Sequence, residues 1–186
     1  EILQRKAIQL NPNFDTPYSN LGNILRDLGK LKEAEISTRK AIEINPDHAK
    51  ANSNLGIILK DLGHLAEAEL YTRKAIKLEP SLAEAHLNLG VILQDLGNLK
   101  EAELSTRRVI KLNPNLATAY SNLGNILSNL GNLKEAELST RKAIELNPNI
   151  AMAHNNLGSI LIDSDKFYDA INCFNKALKI NNDLSI

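Results

Sequence analysis

A 34-residue recurrence runs through the chain and constrains its fold more than any other feature of the sequence. Prolines recur at this spacing (Pro12, Pro46, Pro80, Pro114 and Pro148), and so do glycines (Gly22, Gly56, Gly90, Gly124 and Gly158). A single globular core has no need of such a period, whereas a tandem array of one small unit produces it. The sequence therefore predicts five full repeats, at residues 15–48, 49–82, 83–116, 117–150 and 151–184.

Apolar residues within each repeat fall at helical spacing in two blocks. In repeat 117–150 the first block contains Leu123 and Leu127, and the second contains Ala136 and Ala143. A glycine between the blocks predicts a left-handed residue that ends the first helix. An Asn-Pro or Glu-Pro pair ends the second. Each repeat is therefore predicted to be two antiparallel helices, and residues 1–14 to hold the second helix of a truncated repeat. Because one pair cannot bury its own apolar faces, we expect one continuous all-α solenoid.

Composition and charge exclude several functions. The chain has 22 Lys+Arg and 22 Asp+Glu, and this zero net charge gives no field to hold nucleic acid or an anionic membrane. No run approaches the ~18 apolar residues of a membrane span, and a lone Cys173 excludes a disulfide framework. The histidines lack metal-ligand spacing, and the periodic glycines form no phosphate loop. We expect a cytoplasmic protein that is not an enzyme, with no catalytic residue, metal or cofactor.

The repeated residues resemble a known family. The pattern Tyr120, Leu123, Gly124, Gly131, Ala136, Ala143 and Pro148, with its counterparts in the other copies, resembles the tetratricopeptide repeat (TPR) over essentially the whole chain. The runs Asn-Leu-Gly-Asn-Ile-Leu and Glu-Ala-Glu are most similar to the repeat arms of O-linked N-acetylglucosamine transferases and of related bacterial multi-repeat TPR proteins. The resemblance implies a right-handed superhelix, the alpha-alpha superhelix of a TPR solenoid, whose first helices line a concave groove. Threonines stand where the family has a large aromatic residue, which predicts looser packing at Thr38, Thr72, Thr106 and Thr140.

One face of each first helix is polar and carries the same asparagine in every repeat: Asn20, Asn54, Asn88, Asn122 and Asn156. A carboxamide both donates and accepts hydrogen bonds, so it can pair with an extended peptide backbone without reading its side chains. In the transferase repeats that this column resembles, such an asparagine ladder implies peptide binding along the groove. Two alternatives stay open: the asparagines reflect recent duplication, or they bond the backbone of a neighbouring helix and are structural.

A second column on this face is acidic. Asp27, Asp61, Asp95 and Asp163 lie near the carboxyl ends of the first helices, and Asn129 interrupts the series. The helix dipole disfavours an anion there by ~0.3 to 1 kcal/mol. The column therefore predicts either a ligand with basic groups or compensation by the amino end of a neighbouring helix. Lys50, Asn23 and Asn125 complete the predicted peptide-binding residues.

The basic residues of the second helices have a simpler interpretation. A glutamate precedes each arginine by four residues, at Glu35, Glu69, Glu103 and Glu137 before Arg39, Arg73, Arg107 and Arg141. This is the favourable order for ion pairs within a helix, so we predict solvated helix faces.

The leading hypothesis is a protein–protein interaction scaffold that binds an extended or helical protein segment in the groove. The alternatives are the substrate-recruiting arm of a larger enzyme, such as a glycosyltransferase, and a self-assembling structural scaffold. Self-association is expected at residues 1–10, because Ile2, Leu3, Ala7 and Ile8 lack a covering first helix.

Overall fold

The computed structural model describes residues 1–183, which form helices and turns with no strand. The helices are α1 (Ile2–Leu10), α2 (Asp15–Asp27), α3 (Leu31–Ile44), α4 (Ala49–Asp61), α5 (Leu65–Leu78), α6 (Ala83–Asp95), α7 (Leu99–Leu112), α8 (Ala117–Asn129), α9 (Leu133–Leu146), α10 (Ala151–Ile162) and α11 (Phe167–Asp183). We call the even-numbered helices first helices and the odd-numbered ones second helices. The all-α fold and its two helices per 34 residues are confirmed.

The helices belong to two compact units, Glu1–Leu96 and Gly97–Ile186. In the first unit α2 packs on α3 and α4 packs on α5, the second helices of their own repeats, and neighbouring first helices pack on each other, as α2 does on α4. In the second unit α8 packs on α9, and α10 on α11 and α8. The division falls inside predicted repeat 83–116. The repeat boundaries and the continuous solenoid stay predictions, and the end of the fifth repeat, at residue 184, lies outside the described residues.

Glycine ends four of the first helices in a left-handed turn, as predicted. Gly29, Gly63, Gly97 and Gly131 have φ values of 74°, 83°, 78° and 79°. At the first of these turns the Lys30 amide donates to the Leu25 carbonyl oxygen at 2.8 Å, which satisfies the helix end. In the last repeat the same position is Asp165, with φ of 59°. Aspartate adopts this left-handed conformation less freely than glycine does.

The core lies between first and second helices. Buried clusters join Leu55, Leu59 and Ile92 in the first unit, and Leu123, Leu127 and Ile160 in the second. These are the apolar positions that recur at 34-residue spacing. Every helix in the described part of the chain is too short or too polar to cross a bilayer.

The threonines are not loosely packed, so that prediction is wrong. Thr38 is fully buried, and its hydroxyl donates to the Ala34 carbonyl oxygen at 2.9 Å. Its side chain lies directly over Gly22, where an added Cβ would overlap Thr38 Oγ1. Threonine fits because its hydroxyl is satisfied within its own helix and because the glycine lets the two helices approach. In the last repeat Phe174 covers Gly158 instead.

Candidate functional site

Three asparagines of the ladder are buried and bond a neighbouring first helix. Asn54 is 4% exposed, and its Nδ2 donates to Ser19 Oγ at 3.0 Å. Asn88 repeats this bond with Ser53 Oγ at 3.1 Å. These asparagines therefore bond a neighbouring helix, as the structural alternative predicts, but the acceptor is a serine hydroxyl and not a backbone group.

The second unit contains the same bond. Asn156 Nδ2 lies 3.3 Å from Ser121 Oγ and 3.4 Å from the Ser121 carbonyl oxygen. In all three cases the serine lies 35 residues before the asparagine, a spacing that is visible in the sequence. Sequence reasoning missed these serines because it considered the asparagine column without the serine that precedes each of these asparagines by 35 residues.

The other two asparagines differ in exposure. Asn20 is exposed, and Asn122 is half-buried. The five asparagines are thus identical in the sequence but not in their surroundings. Their contact with a peptide stays a prediction, and for the buried ones it needs the carboxamide atoms that the serine bond leaves over.

The aspartate column is partly neutralised within the protein. Arg26 Nε lies 2.6 Å from Asp61 Oδ2, and Lys60 Nζ lies 3.6 Å from Asp95 Oδ2. In both pairs the cation comes from the preceding first helix. The sequence predicted either a basic ligand or the amino end of a helix, so this source of compensation was missed. It could have been found as a basic residue 35 positions before the aspartate.

The ends of the aspartate column are different. Asp27 and Asp163 are exposed, and within residues 1–183 neither forms an ion pair. At the interruption, Asn129 Nδ2 donates to Asn125 Oδ1 at 3.2 Å. A basic ligand would therefore meet unpaired carboxylates at Asp27 and Asp163.

The remaining predicted residues line the same face of the first helices. Lys50 is exposed, while Asn23 and Asn125 are half-buried. We call this face of the first helices in each unit, which carries the ladder, the aspartate column and these residues, the first-helix surface. It combines amide and carboxylate groups with the Lys50 ammonium group.

The second helices carry the predicted ion pairs, and some of them extend between helices. Arg39 lies 2.9 Å from Glu35 in its own helix and 2.7 Å from Glu67 on α5. Partial burial alone would lower the pKa of Arg39, but hydrogen bonds to both glutamates outweigh it and raise that pKa. Arg107 makes the equivalent pair of contacts, with Glu103 and Glu135. These charges stabilise the protein's own helices.

A polar cluster joins the two ends of the first repeat. Asn45 Nδ2 donates to Asp15 Oδ2 at 2.6 Å, and His48 Nδ1 lies 3.0 Å from the same oxygen. Burial raises the pKa of Asp15, but the hydrogen bonds from Asn45 and Thr16 and the nearby His48 lower it more, so the net shift is downward. The cluster is polar where later repeats carry alanine and an apolar residue.

The other histidines and the cysteine have structural surroundings. His86 Nε2 lies 3.0 Å from the Pro80 carbonyl oxygen, and His154 Nε2 lies 2.8 Å from that of Pro148. Burial raises the pKa of the Cys173 thiol, which disfavours the reactive thiolate. No group of three histidine, cysteine, aspartate or glutamate side chains in the described residues is placed to hold a metal ion.

Helix pairs that repeat every 34 residues, and whose first helices bond one another through asparagine and serine, define a helical-repeat protein. A sequence model of the tetratricopeptide repeat matches residues 17–48, 83–116, 117–150 and 151–184. A second model of the same repeat matches residues 38–69. The chain belongs to the tetratricopeptide repeat family. The finer likeness, to the arms of O-linked N-acetylglucosamine transferases, stays a prediction.

Solved structures show the same fold. YrrB, described as a TPR protein with an unusual peptide-binding site, is 28% identical, with a TM-score of 0.69 over 97% of this chain and 93% of its own. MamA is 24% identical, with a TM-score of 0.72 over 88% of this chain and 96% of its own. The pilF protein of Pseudomonas aeruginosa is 21% identical, with a TM-score of 0.80 over 89% of this chain and 76% of its own. A comparison with curated proteins finds no match.

Proposed function

We propose that this chain is a protein-interaction module that binds an extended or helical segment of a partner protein along the first-helix surface. The supporting observation is the repetition of polar groups on that surface, with the same asparagine in each of five repeats. TPR proteins in general mediate protein–protein interaction. The similar protein YrrB has a peptide-binding site. Both facts favour a binding role over catalysis.

The asparagines have spare hydrogen-bonding capacity. A carboxamide carries two N–H hydrogens and one oxygen acceptor, and the bond from Asn54 to Ser19 uses one hydrogen. A peptide backbone offers both an N–H and a C=O, which match the remaining atoms. In this proposal the serine bond fixes the orientation of the side chain, and the remaining atoms contact the ligand. Exposed Asn20 contacts the ligand without such support.

The charged residues of the surface set ligand preference. Asp61 and Asp95 have basic partners within the chain, whereas Asp27 and Asp163 are exposed and attract basic groups of a ligand. Lys50 favours an acidic group near the second repeat. Because these side chains are solvated, ligand selection through them weakens as salt increases.

The test is a peptide-library selection with two variants that break the same hydrogen bonds from opposite sides. Asn54→Ala/Asn88→Ala removes the carboxamides, and Ser19→Ala/Ser53→Ala removes only their acceptors. If the ladder reads a peptide, the serine variant, which keeps the carboxamides, loses much less binding than the asparagine variant. Melting curves of both variants measure the structural loss that they share.

Two results would contradict this proposal. Equal loss of binding in the two variants would assign the asparagines to helix packing alone. Failure of the wild-type chain to enrich any peptide would remove the first-helix surface as a binding site. Attachment of this module to an enzyme, as a substrate-recruiting arm, is tested by determining which coding sequence adjoins it.

Self-association is a second candidate, favoured by the exposure of α1. Ile2, Leu3 and Leu10 are 82%, 79% and 78% exposed. Sedimentation velocity over a hundredfold concentration range tests it. A shift to dimer that Ile2→Ser/Leu3→Ser removes would support it, and an unchanging monomer would contradict it.

A further inference from the structure

A groove opens on the side of α2 that faces away from the first-helix surface. Its floor is formed by Tyr18, Leu21 and Leu25 of α2, and its walls are α1 and α3. It encloses about 700 Å³. By helical periodicity its floor residues lie roughly half a turn from Asn20 and Asn23. This α1–α3 groove is therefore separate from the proposed peptide surface.

The next repeat shows what fits such a groove. Between α3 and α5 the space over α4 is taken by the protein's own Tyr71, whose ring packs in the cluster of Leu55 and Leu59. Arg39 Nη1 donates to the Tyr71 hydroxyl at 3.2 Å. The Arg39 guanidinium carbon lies 5.6 Å from the ring centroid, within the range of a cation–π contact.

The same frame exists 34 residues earlier. Arg5, Ile8, Leu21 and Leu25 line the α1–α3 groove at the positions of Arg39, Ile42, Leu55 and Leu59. The aromatic residue is placed differently, because Tyr18 and Ser37 stand where the next repeat has Asn52 and Tyr71. The first repeat thus places its aromatic ring on the floor, and the outer part of the groove stays open.

A related groove is present in the second unit, with less than half the volume. A smaller groove of about 310 Å³ lies over α10, between α9 and α11. His154 and Cys173 occupy there the positions of Tyr18 and Ser37. The groove is open at Ser37 and at Cys173, and at the equivalent position Tyr71 takes the space.

We propose that the α1–α3 groove docks a tyrosine side chain from a segment of a partner protein. Arg5 stands over the groove as Arg39 stands over Tyr71, and it is held there by Glu1 at 3.0 Å and Glu33 at 3.7 Å. Ile36 lines the rim and is 70% exposed, so it contacts an apolar residue beside the tyrosine. This inference goes beyond the proposed function, because it uses the opposite side of α2.

The charges of the rim argue against an anionic ligand. Lys40 is paired with Glu43 at 2.9 Å, and Arg5 with Glu1 and Glu33. A phosphate or a free carboxylate would meet these glutamates as well as the cations. A neutral tyrosine needs no net charge from its site.

The test exchanges the two repeats' own residue pairs. Tyr18→Asn/Ser37→Tyr gives the first repeat the pair of the second and closes the α1–α3 groove, whereas Asn52→Tyr/Tyr71→Ser opens the groove over α4. The probe is a random twelve-residue peptide library with a fixed central tyrosine, compared with the same library with a central alanine. We expect the wild-type chain to enrich the tyrosine library, and the closing variant to lose affinity for the selected peptides by about tenfold or more. The opening variant is expected to bind one more peptide per chain than the wild type does.

A measurement on the wild-type chain avoids any dependence on variant folding. Methyl NMR signals of Leu21 and Leu25 are expected to shift upon addition of a selected peptide, because an aromatic ring would lie over them. Asn54→Ala/Asn88→Ala is expected to leave this affinity unchanged, which separates the result from the test of the first-helix surface.

Three outcomes would overturn the proposal. The first is a selected peptide whose tyrosine can be replaced by alanine without loss of affinity, and the second is equal binding by the closing variant. The third concerns a second copy of this chain, since Tyr168 is 79% exposed. A dimer that Tyr168→Ala and the closing variant each abolish would make a second copy the occupant.

Discussion

The first and second repeats share one backbone plan but differ in where the aromatic ring lies and in the residues that join the two ends of the repeat. The first repeat carries its aromatic ring on the first helix, as Tyr18, and the second carries it on the second helix, as Tyr71. In the first repeat the polar Asp15 lies 3.0 Å from His48. In the second repeat the apolar residues Ala49 and Leu82 take these two positions. Thus the contacts that hold the helices together are kept, while the groove and the residue pair at the ends of the repeat vary.

The contact between a glycine and the facing threonine, which both repeats share, is expected to have the largest effect on stability. Gly22→Ala and Gly56→Ala would each drive a Cβ into the hydroxyl of the facing threonine, Thr38 or Thr72. Each should lower the free energy of unfolding by about 2 kcal/mol, as overpacking does. Urea denaturation of the two variants measures this loss.

A control is available in the facing threonine. Gly22→Ala/Thr38→Ala removes the overlapping hydroxyl and should regain most of the loss. A much smaller effect in one repeat than in the other would show that the two repeats do not share this packing.

Replacing the ladder asparagine is expected to reduce stability by different amounts in the two repeats, and this effect is of intermediate size. Asn54→Ala removes a buried side chain that bonds Ser19 and should cost about 1 kcal/mol. Asn20→Ala, at the matching exposed position of the first repeat, should change stability by less than ~0.5 kcal/mol. Equal costs in thermal unfolding would mean that burial does not distinguish the two asparagines.

The polar cluster of Asp15, Asn45 and His48 is expected to give the smallest effect, which is visible as a pH dependence of stability. The folded pKa of Asp15 is lowered, so its stabilising contribution is complete above the ordinary value of ~3.9 and is lost as the pH falls through the lower folded value. Wild type should therefore lose more stability than Asp15→Ala between pH 7 and pH 2, by up to ~1 kcal/mol. Denaturation at several pH values measures the difference.

A variant that replaces both Asp15 and His48 gives a matched comparison with the second repeat. Asp15→Ala/His48→Leu gives the first repeat the apolar residue pair of the second, Ala49 and Leu82. Stability at pH 7 should be unchanged or higher, because well-packed apolar residues often replace an ion pair without loss. A large loss would show that the cluster is needed for more than its charge.

Much of the fold was predictable because the period repeats the same local signals. The glycine at Gly29 and the proline at Pro46 mark helix ends through backbone geometry alone, and apolar spacing marks the buried faces. Repetition lets each signal be read several times. For the same reason the ion pair of Glu35 and Arg39, four residues apart in one helix, was predicted and is present.

The candidate site was less predictable because it depends on contacts between repeats. The asparagine column indicated a recurring polar face, but burial of Asn54 against Ser19 depends on how two first helices approach. Likewise the pairing of Asp61 with Arg26 joins residues 35 positions apart. The predicted looseness at Thr38 was wrong because its size was judged without the facing Gly22.

The sequence by itself determined the repeat, its two helices and their ends, since these follow from spacing and from the backbone preferences of glycine and proline. The tertiary structure alone decided which repeated side chains are free to meet a ligand. It buries Asn54 and leaves Asn20 exposed. It also leaves a groove open over Leu21, whereas Tyr71 covers the equivalent Leu55. The physical reason is that exposure depends on the residues that a neighbouring repeat brings against each side chain, and identical letters in a sequence do not record those neighbours.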